Sequence, residues 1–432
     1  MMYKILKNSW ALFAGYAILI LAHGLQGNLL GVRAVMEDFN FLATGIMMSG
    51  YFVGYFVGAN LVPNLVGKVG HIRVFAAFAS LASLSILIHA IFVNPYIWTM
   101  GRFLTGLSIA GILIIVESWL NDRATNRTRG KVLSIYMVIT FSGLAFGTLL
   151  LNFDSPKNYE PFILVSLLLS IALVPILLTK RKPPKFKKTS EMKIKELFKI
   201  SPLASFSMFC TGMIQATLVT LGAVYATTMN FTVLEVSVFL FLITMSGAIL
   251  QWPIGFFSDL FDRRWVIIVC TFMASVFAFL SILALGQRPE ILYLGITWQS
   301  DKLIFYALAS IFAGFSFPLF SLNLAYINDF LQREKFVAAG AGLNIIFGIG
   351  GILGPALCSV VMLKLGANGF FIYMSVIHLI IGIFGIFRVT RRQQIKENPD
   401  NTFTPLPRSI TPAGIALDPD TGVDLSNPEK NK

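Results

Sequence analysis

KRKPPKFKKTSEMKIKELFK, residues 180–199, sets nine basic side chains between two long apolar stretches. Lys180, Arg181, Lys182, Lys185, Lys187, Lys188, Lys193, Lys195 and Lys199 cannot enter hydrocarbon, and so basic a loop stays on the cytoplasmic side of a membrane. Outward from it the sequence divides into apolar runs of the roughly 20 residues that a helix needs to cross a bilayer. Six precede the loop, at 9–31, 42–66, 74–93, 96–119, 132–152 and 161–179. Six follow it, at 203–227, 234–256, 265–285, 303–327, 337–363 and 369–388. With 56% apolar and 13% charged residues and a mean hydropathy of +0.75, the chain lacks the roughly 25% of charged residues found in soluble domains. An all-α polytopic membrane protein is predicted.

Charge placement tests the layout. Of the 34 Lys and Arg residues, 28 fall on the side of the basic loop, five (Arg33, Lys157, Arg288, Lys302, Lys364) on the other, and Arg102 lies within a span. Twelve spans with both termini cytoplasmic satisfy that bias. The net charge of +13 sits in short clusters between spans, which is a membrane pattern, so no nucleic acid is expected as a partner. Cys210, Cys270 and Cys358 stand singly in apolar runs and read as core residues, with no metal site and no cofactor expected. Residues from about 393 onward, rich in proline and polar side chains, are predicted to be disordered. The predicted parts are a six-helix bundle at 1–179, a basic linker at 180–200, a second bundle at 201–390 and a cytoplasmic tail at 391–432.

The two halves echo each other. Asn121 and Asp122 recur as Asn328 and Asp329, and the same offset of 207 carries Gly143 and Gly147 onto Gly350 and Gly354. A duplicated six-helix unit explains the match.

Two loops carry the next signal. PNLVGKVGHIR runs from Pro63 to Arg73 after the second span, and IGFFSDLFDRR from Ile254 to Arg264 after the eighth. Both resemble the signature loop of the major facilitator superfamily, approximately G-x-x-x-D-R-x-G-R-R, and GHIR, ESWLND and SDLFDRR resemble its YcaD-like bacterial branch. The second copy keeps Gly255, Asp259, Asp262, Arg263 and Arg264; the first has Pro63, Gly67 and His71 at pattern positions and keeps Lys68, Gly70 and Arg73. The resemblance implies two pseudo-symmetric six-helix bundles in the inner membrane of a bacterium. It further implies a monomeric secondary transporter, not an enzyme, moving a small organic solute by alternating access. Loops of this kind bring carboxylates and guanidinium groups to the helix ends, where ion pairs form and break as a gate.

The fourth span, GRFLTGLSIAGILIIVESWLND, is the most informative helix; Arg102 and Gly106 resemble the superfamily's R-x-x-x-G motif. A cation inside an apolar helix faces protein or water, so Arg102 is a candidate for substrate or coupling. Glu117 lies 15 residues on, within about 60° of the same face and some 22 Å along the axis. A carboxyl in low dielectric favours its neutral form and can carry a proton. Alternatively Glu117 pairs with Arg127 or Arg129 as part of the gate, which its nearness to the helix end favours. In the superfamily the first, fourth, seventh and tenth helices line the cavity, which singles out Gln26, Asn28, Gln215 and Asn323. Gln251 in the eighth span and Asn344 in the eleventh are further polar residues placed to line a central path. Small-x-x-x-small stripes at Gly50, Gly54 and Gly58, at Gly143 and Gly147, and at Gly350, Gly354 and Pro355 suit close helix packing. Few in-span charges and many Phe residues point to an aromatic cavity and to proton-driven efflux of an amphiphile. Uptake of a carboxylate held by Arg102 is the alternative, and a membrane sensor on the same fold the other class.

Overall fold

Without water in the bilayer core, each apolar run must satisfy its backbone internally, and each becomes a helix. The computed structural model describes residues 2–125, 127–177, 191–285, 290–293, 296–391 and 401–421. Among them twelve helices are long and apolar enough to span: α1 Ser9–Met36, α2 Phe41–Val69, α3 His71–Ile91, α4 Pro95–Arg123, α5 Arg129–Asn152, α6 Glu160–Leu177, α7 Pro202–Thr228, α8 Val233–Leu260, α9 Arg263–Ala284, α10 Asp301–Asn328, α11 Arg333–Leu365 and α12 Gly369–Arg391. The architecture is all-helical as predicted; a short antiparallel hairpin, Glu290–Tyr293 with Ile296–Gln299, lies between α9 and α10.

Polar residues at the boundaries set where the helices start. Asn40 and Asn94 accept from the first amides of α2 and α4, and Thr232 with Glu235 forms a capping box on α8. Gly70, at φ +94°, makes the turn into α3. Large apolar side chains such as Trp252, Ile249 and Phe279 face outward, as a lipid solvent allows.

Packing repeats between the halves. Helix α1 lies on α5, α2 on α4, and α3 on α4 and α6; correspondingly α7 lies on α11, α8 on α10, and α9 on α10 and α12. The glycine stripes make these contacts. Gly54 meets the Phe103 carbonyl, Gly106 the Tyr51 carbonyl, Gly147 that of Leu21, Gly350 that of Phe209 and Gly354 that of Met213; at each a Cβ would overlap backbone oxygen. Gly50, Gly58 and Gly143 line the same seams, and the Pro355 carbonyl abuts Gly45 of α2.

The bundles meet through α2 with α11, α5 with α8 and α1 with α7. At the end opposite the linker they touch directly: the Thr148 hydroxyl donates to the Ser237 carbonyl at 3.2 Å, and Asn152 to the Ser237 hydroxyl at 2.8 Å. At the linker end residues 401–421 bond to both bundles. The described part of the linker, 191–200, lies against α11, with the Met192 amide donating to the Ala338 carbonyl. Residues 180–190 of the basic stretch lie outside the described residues.

Residues 401–421 correct the expectation of a disordered tail. They fold into a hairpin loop that enters the cleft between the bundles and buries Leu406, Ile410, Ile415 and Leu417. Prolines and polarity alone suggest disorder; the apolar side chains spaced through TPLPRSITPAGIALDP supply a buried face. Residues 392–400 and 422–432 lie outside the described residues.

Candidate functional site

A cavity of about 150 Å³ lies between the bundles. Tyr51, Phe52, Tyr55 and Phe56 of α2 line it with Phe347 of α11, and Asn28, His23 and Asn344 contribute polar groups. Arg102 and Arg408 supply its cations; Glu191, an exposed residue, is the acidic side chain at its rim among the described residues.

Arg102 is positioned by α4's close approach to α2. Gly106, one turn on, lets the backbones touch, and the guanidinium then sits 4.7 Å from the Tyr51 ring centroid. This cation–π contact satisfies the face of the charge but not its donors. Arg102 is 2% exposed, its Nε and Nη1 have no hydrogen-bond partner, and it makes no ion pair among the described residues. Tyr51 is held from the other side by its hydroxyl, 3.3 Å from His23 Nε2.

Glu117, fully buried, pairs with neither Arg127 nor Arg129, contrary to the gate expectation. The Tyr136 hydroxyl donates to Oε1 at 2.5 Å, and the Thr411 amide donates to Oε2 at 2.9 Å, joined there by the Thr411 hydroxyl. The tail takes their place: Thr411 occupies the carboxyl, while Arg127 is exposed and Arg129 lies on α5 near Asp418.

Of the other predicted cavity residues Asn28 and Asn344 line the wall, Asn28 donating to the Gly24 carbonyl at 2.8 Å. Gln26 donates to Thr105 at 3.2 Å and Asn323 to Thr211 at 3.4 Å, both as links between helices. Gln215 mends a break: α10 turns at Phe317 and Pro318, and Gln215 donates to the Ser316 and Phe317 carbonyls at 3.0 and 3.1 Å. The Arg408 guanidinium rests 4.9 Å from the centroid of that same Phe317.

The two signature loops differ. Around the second, Arg263 donates to Asp259 at 2.8 Å, to Asp329, and to the Asn401 carbonyl at 2.8 Å; Asp262 caps α9 and pairs with Arg264 at 2.5 Å. Gly255 lies against the Phe403 ring. Around the first, Lys68 and Arg73 are exposed and make no ion pair among the described residues, and His71 contacts Ser118 at 3.3 Å. Among the described residues the ion pairs of the signature loop are therefore found in the second half.

At the tail's base Asp418, 5% exposed, accepts from the Thr404 hydroxyl at 2.9 Å and the Asp420 amide at 3.1 Å. Burial pushes its carboxyl from 3.8 up to about 6, with the Asp420 charge acting in the same direction; those two hydrogen bonds and Arg129 oppose it. A carboxyl that binds its proton more readily when docked favours docking at low pH. Docking thus weakens as pH rises from 3.8 to about 6 and changes no further above that, over a range on the order of a hundredfold. Asp418→Asn keeps the acceptor and should remove this part of the dependence, as followed by NMR of a fluorine label on the tail; an unchanged pH profile would discount Asp418.

Two pseudo-symmetric six-helix bundles around a central cavity define a membrane transport protein. The sequence model of the Major Facilitator Superfamily matches residues 12–298 and 239–419, and the chain belongs to that superfamily. The chain is 24% identical over 371 residues to an uncharacterized MFS-type transporter YcaD from Escherichia fergusonii, covering 85% of this chain and 92% of the relative. The corresponding protein of Escherichia coli strain 536 is 23% identical over 373 residues with the same coverage. Among solved structures the fold is similar to the nucleoside transporter NupG (TM-score 0.70, 14% identity, 90% and 99% of the two chains). It is also similar to a bacterial homolog of the human lysosomal transporter Spinster in an inward-facing and occupied conformation (TM-score 0.68, 14% identity, 94% and 98%).

Proposed function

We propose that the chain is a proton-coupled transporter that exports a small amphiphilic solute bearing an acidic group, by rocking its bundles about the cavity. Arg102 carries this reading. A buried cation without an anion is costly, and a ligand carboxylate or sulfonate would engage its open donors in bidentate fashion. The surrounding rings suit an apolar body. Glu117, bonded by neutral donors alone, is the proton carrier, and Arg263 with Asp259 and Asp329 the gate. The linker and both termini face the cytoplasm of a bacterial inner membrane, as the basic bias supports. Closure at the opposite end then makes this an inward-facing arrangement, the conformation of the Spinster homolog. The cavity is complete within one chain, which supports a monomer.

The test is flux in proteoliposomes with an imposed pH gradient, using naphthalene-1-sulfonate and a panel of aromatic carboxylates as probes. Flux should follow the gradient, and Glu117→Gln should uncouple it. Flux indifferent to the gradient would remove the proton, and accumulation against the expected direction would reverse export to uptake. No flux, with gate substitutions altering a signalling output, would make the protein a sensor.

A further inference from the structure

The cleft at the linker end treats the tail as a bound peptide. Side chains from both bundles satisfy its backbone: Tyr55 donates to the Ser409 carbonyl at 2.7 Å and Asn121 to that of Ala413 at 3.4 Å from the first, while Asn344 donates to the Ile410 carbonyl at 2.5 Å and Arg263 to that of Asn401 from the second. The Leu406 amide donates to the Ser321 hydroxyl at 3.0 Å, and Gln251 to the Leu406 carbonyl at 3.4 Å. Apolar anchors accompany these bonds, with Phe403 on Gly255 and Ile415 on Gly340. The hairpin ties its own stems, Thr402 donating to Asp420 at 2.7 Å and Thr404 to Asp418 at 2.9 Å. Its apex, Arg408 and Ser409, forms part of the cavity wall.

Rocking needs the linker ends of the bundles to meet before the opposite end can part. The hairpin's main chain fills that space, and Thr411 occupies the Glu117 carboxyl. We propose that this cleft is a peptide-recognition groove whose ligand is the chain's own segment 401–421, and that docking of the segment locks the transporter in one state until it is withdrawn. The proposal rests on the rocking motion but on neither the substrate nor the proton.

Spin labels at Val69→Cys and Leu260→Cys, exposed ends of α2 and α8, report the separation of the bundles; Cys210, Cys270 and Cys358 are buried. The otherwise intact chain should show one long separation. Gly414→Val should add a shorter one, because a Cβ there would lie 2.6 Å from the Glu117 carboxyl carbon, while the helices keep their sequence. As a second route, a protease site inserted within 392–400 is cut after purification and the released peptide washed away. The shorter separation should then dominate, and excess synthetic 401–421 peptide should restore the long one where a scrambled peptide does not. A separation unchanged after the tail is removed, or a native peptide no better than the scrambled one, overturns the proposal. The readout needs no substrate, so failure of the export reading leaves it standing.

Discussion

Arg102→Leu should raise the melting temperature while lowering flux of an acidic probe by about a hundredfold or more. Two charge-assisted hydrogen bonds to a ligand, at about 1.5–3 kcal/mol each, set that loss of flux. The gain in stability comes from removing a cation that is 2% exposed, rests on Tyr51 and has no anionic partner among the described residues. A structural arginine behaves the other way, since its removal strands a partner. Arg102→Lys keeps the charge but loses the planar fork and most of the stacking on Tyr51, so intermediate flux is expected. Thermal unfolding in detergent and vesicle flux, measured on the same preparations, check both signs. A drop in both quantities would make Arg102 a packing residue and withdraw the anionic ligand.

What the sequence revealed, and what it hid, follows from the range of each interaction. Hydrocarbon demands some 20 apolar residues per span and keeps charge outside, and both constraints are written locally. The twelve spans and the glycine seams were therefore legible. Arg102 was legible because a cation inside an apolar run has to turn away from lipid, toward protein or water. Its perch on Tyr51 was not, since that contact depends on where α2 and α4 cross. Gln215 looked like a cavity ligand because its role, mending the break at Pro318, joins residues about a hundred positions apart. Glu117 was assigned basic partners by its nearness to Arg127 and Arg129 in sequence. Its partners are Tyr136 and Thr411, and Thr411 comes from a segment whose prolines masked four buried apolar side chains.

Arg263→Ala should destabilise the fold by about 3–5 kcal/mol, the cost of taking this cation from a buried carboxylate that otherwise accepts from the Asn401 amide. The Arg263–Asp329 pair leaves side chains only 5% and 9% exposed, and the same guanidinium serves Asp259 and the Asn401 carbonyl. The first half supplies the internal control. There the places of Asp259 and Arg263 are held by Gly67 and His71, and Asp122, the counterpart of Asp329, is exposed, so Lys68→Ala and Arg73→Ala should leave melting unmoved. Adding Asp329→Ala to Arg263→Ala should recover part of the loss, because the second change removes the buried charge that has lost its Arg263 partner. Losses that simply add in the double variant would mean that the pair contributes through packing and not through charge. If the pair is charged and coupled as its geometry indicates, the two loops differ in role: the second holds its bundle's helix ends together and touches the tail, while the first keeps its turn, the His71–Ser118 contact and exposed basic residues with no ion pair among the described residues.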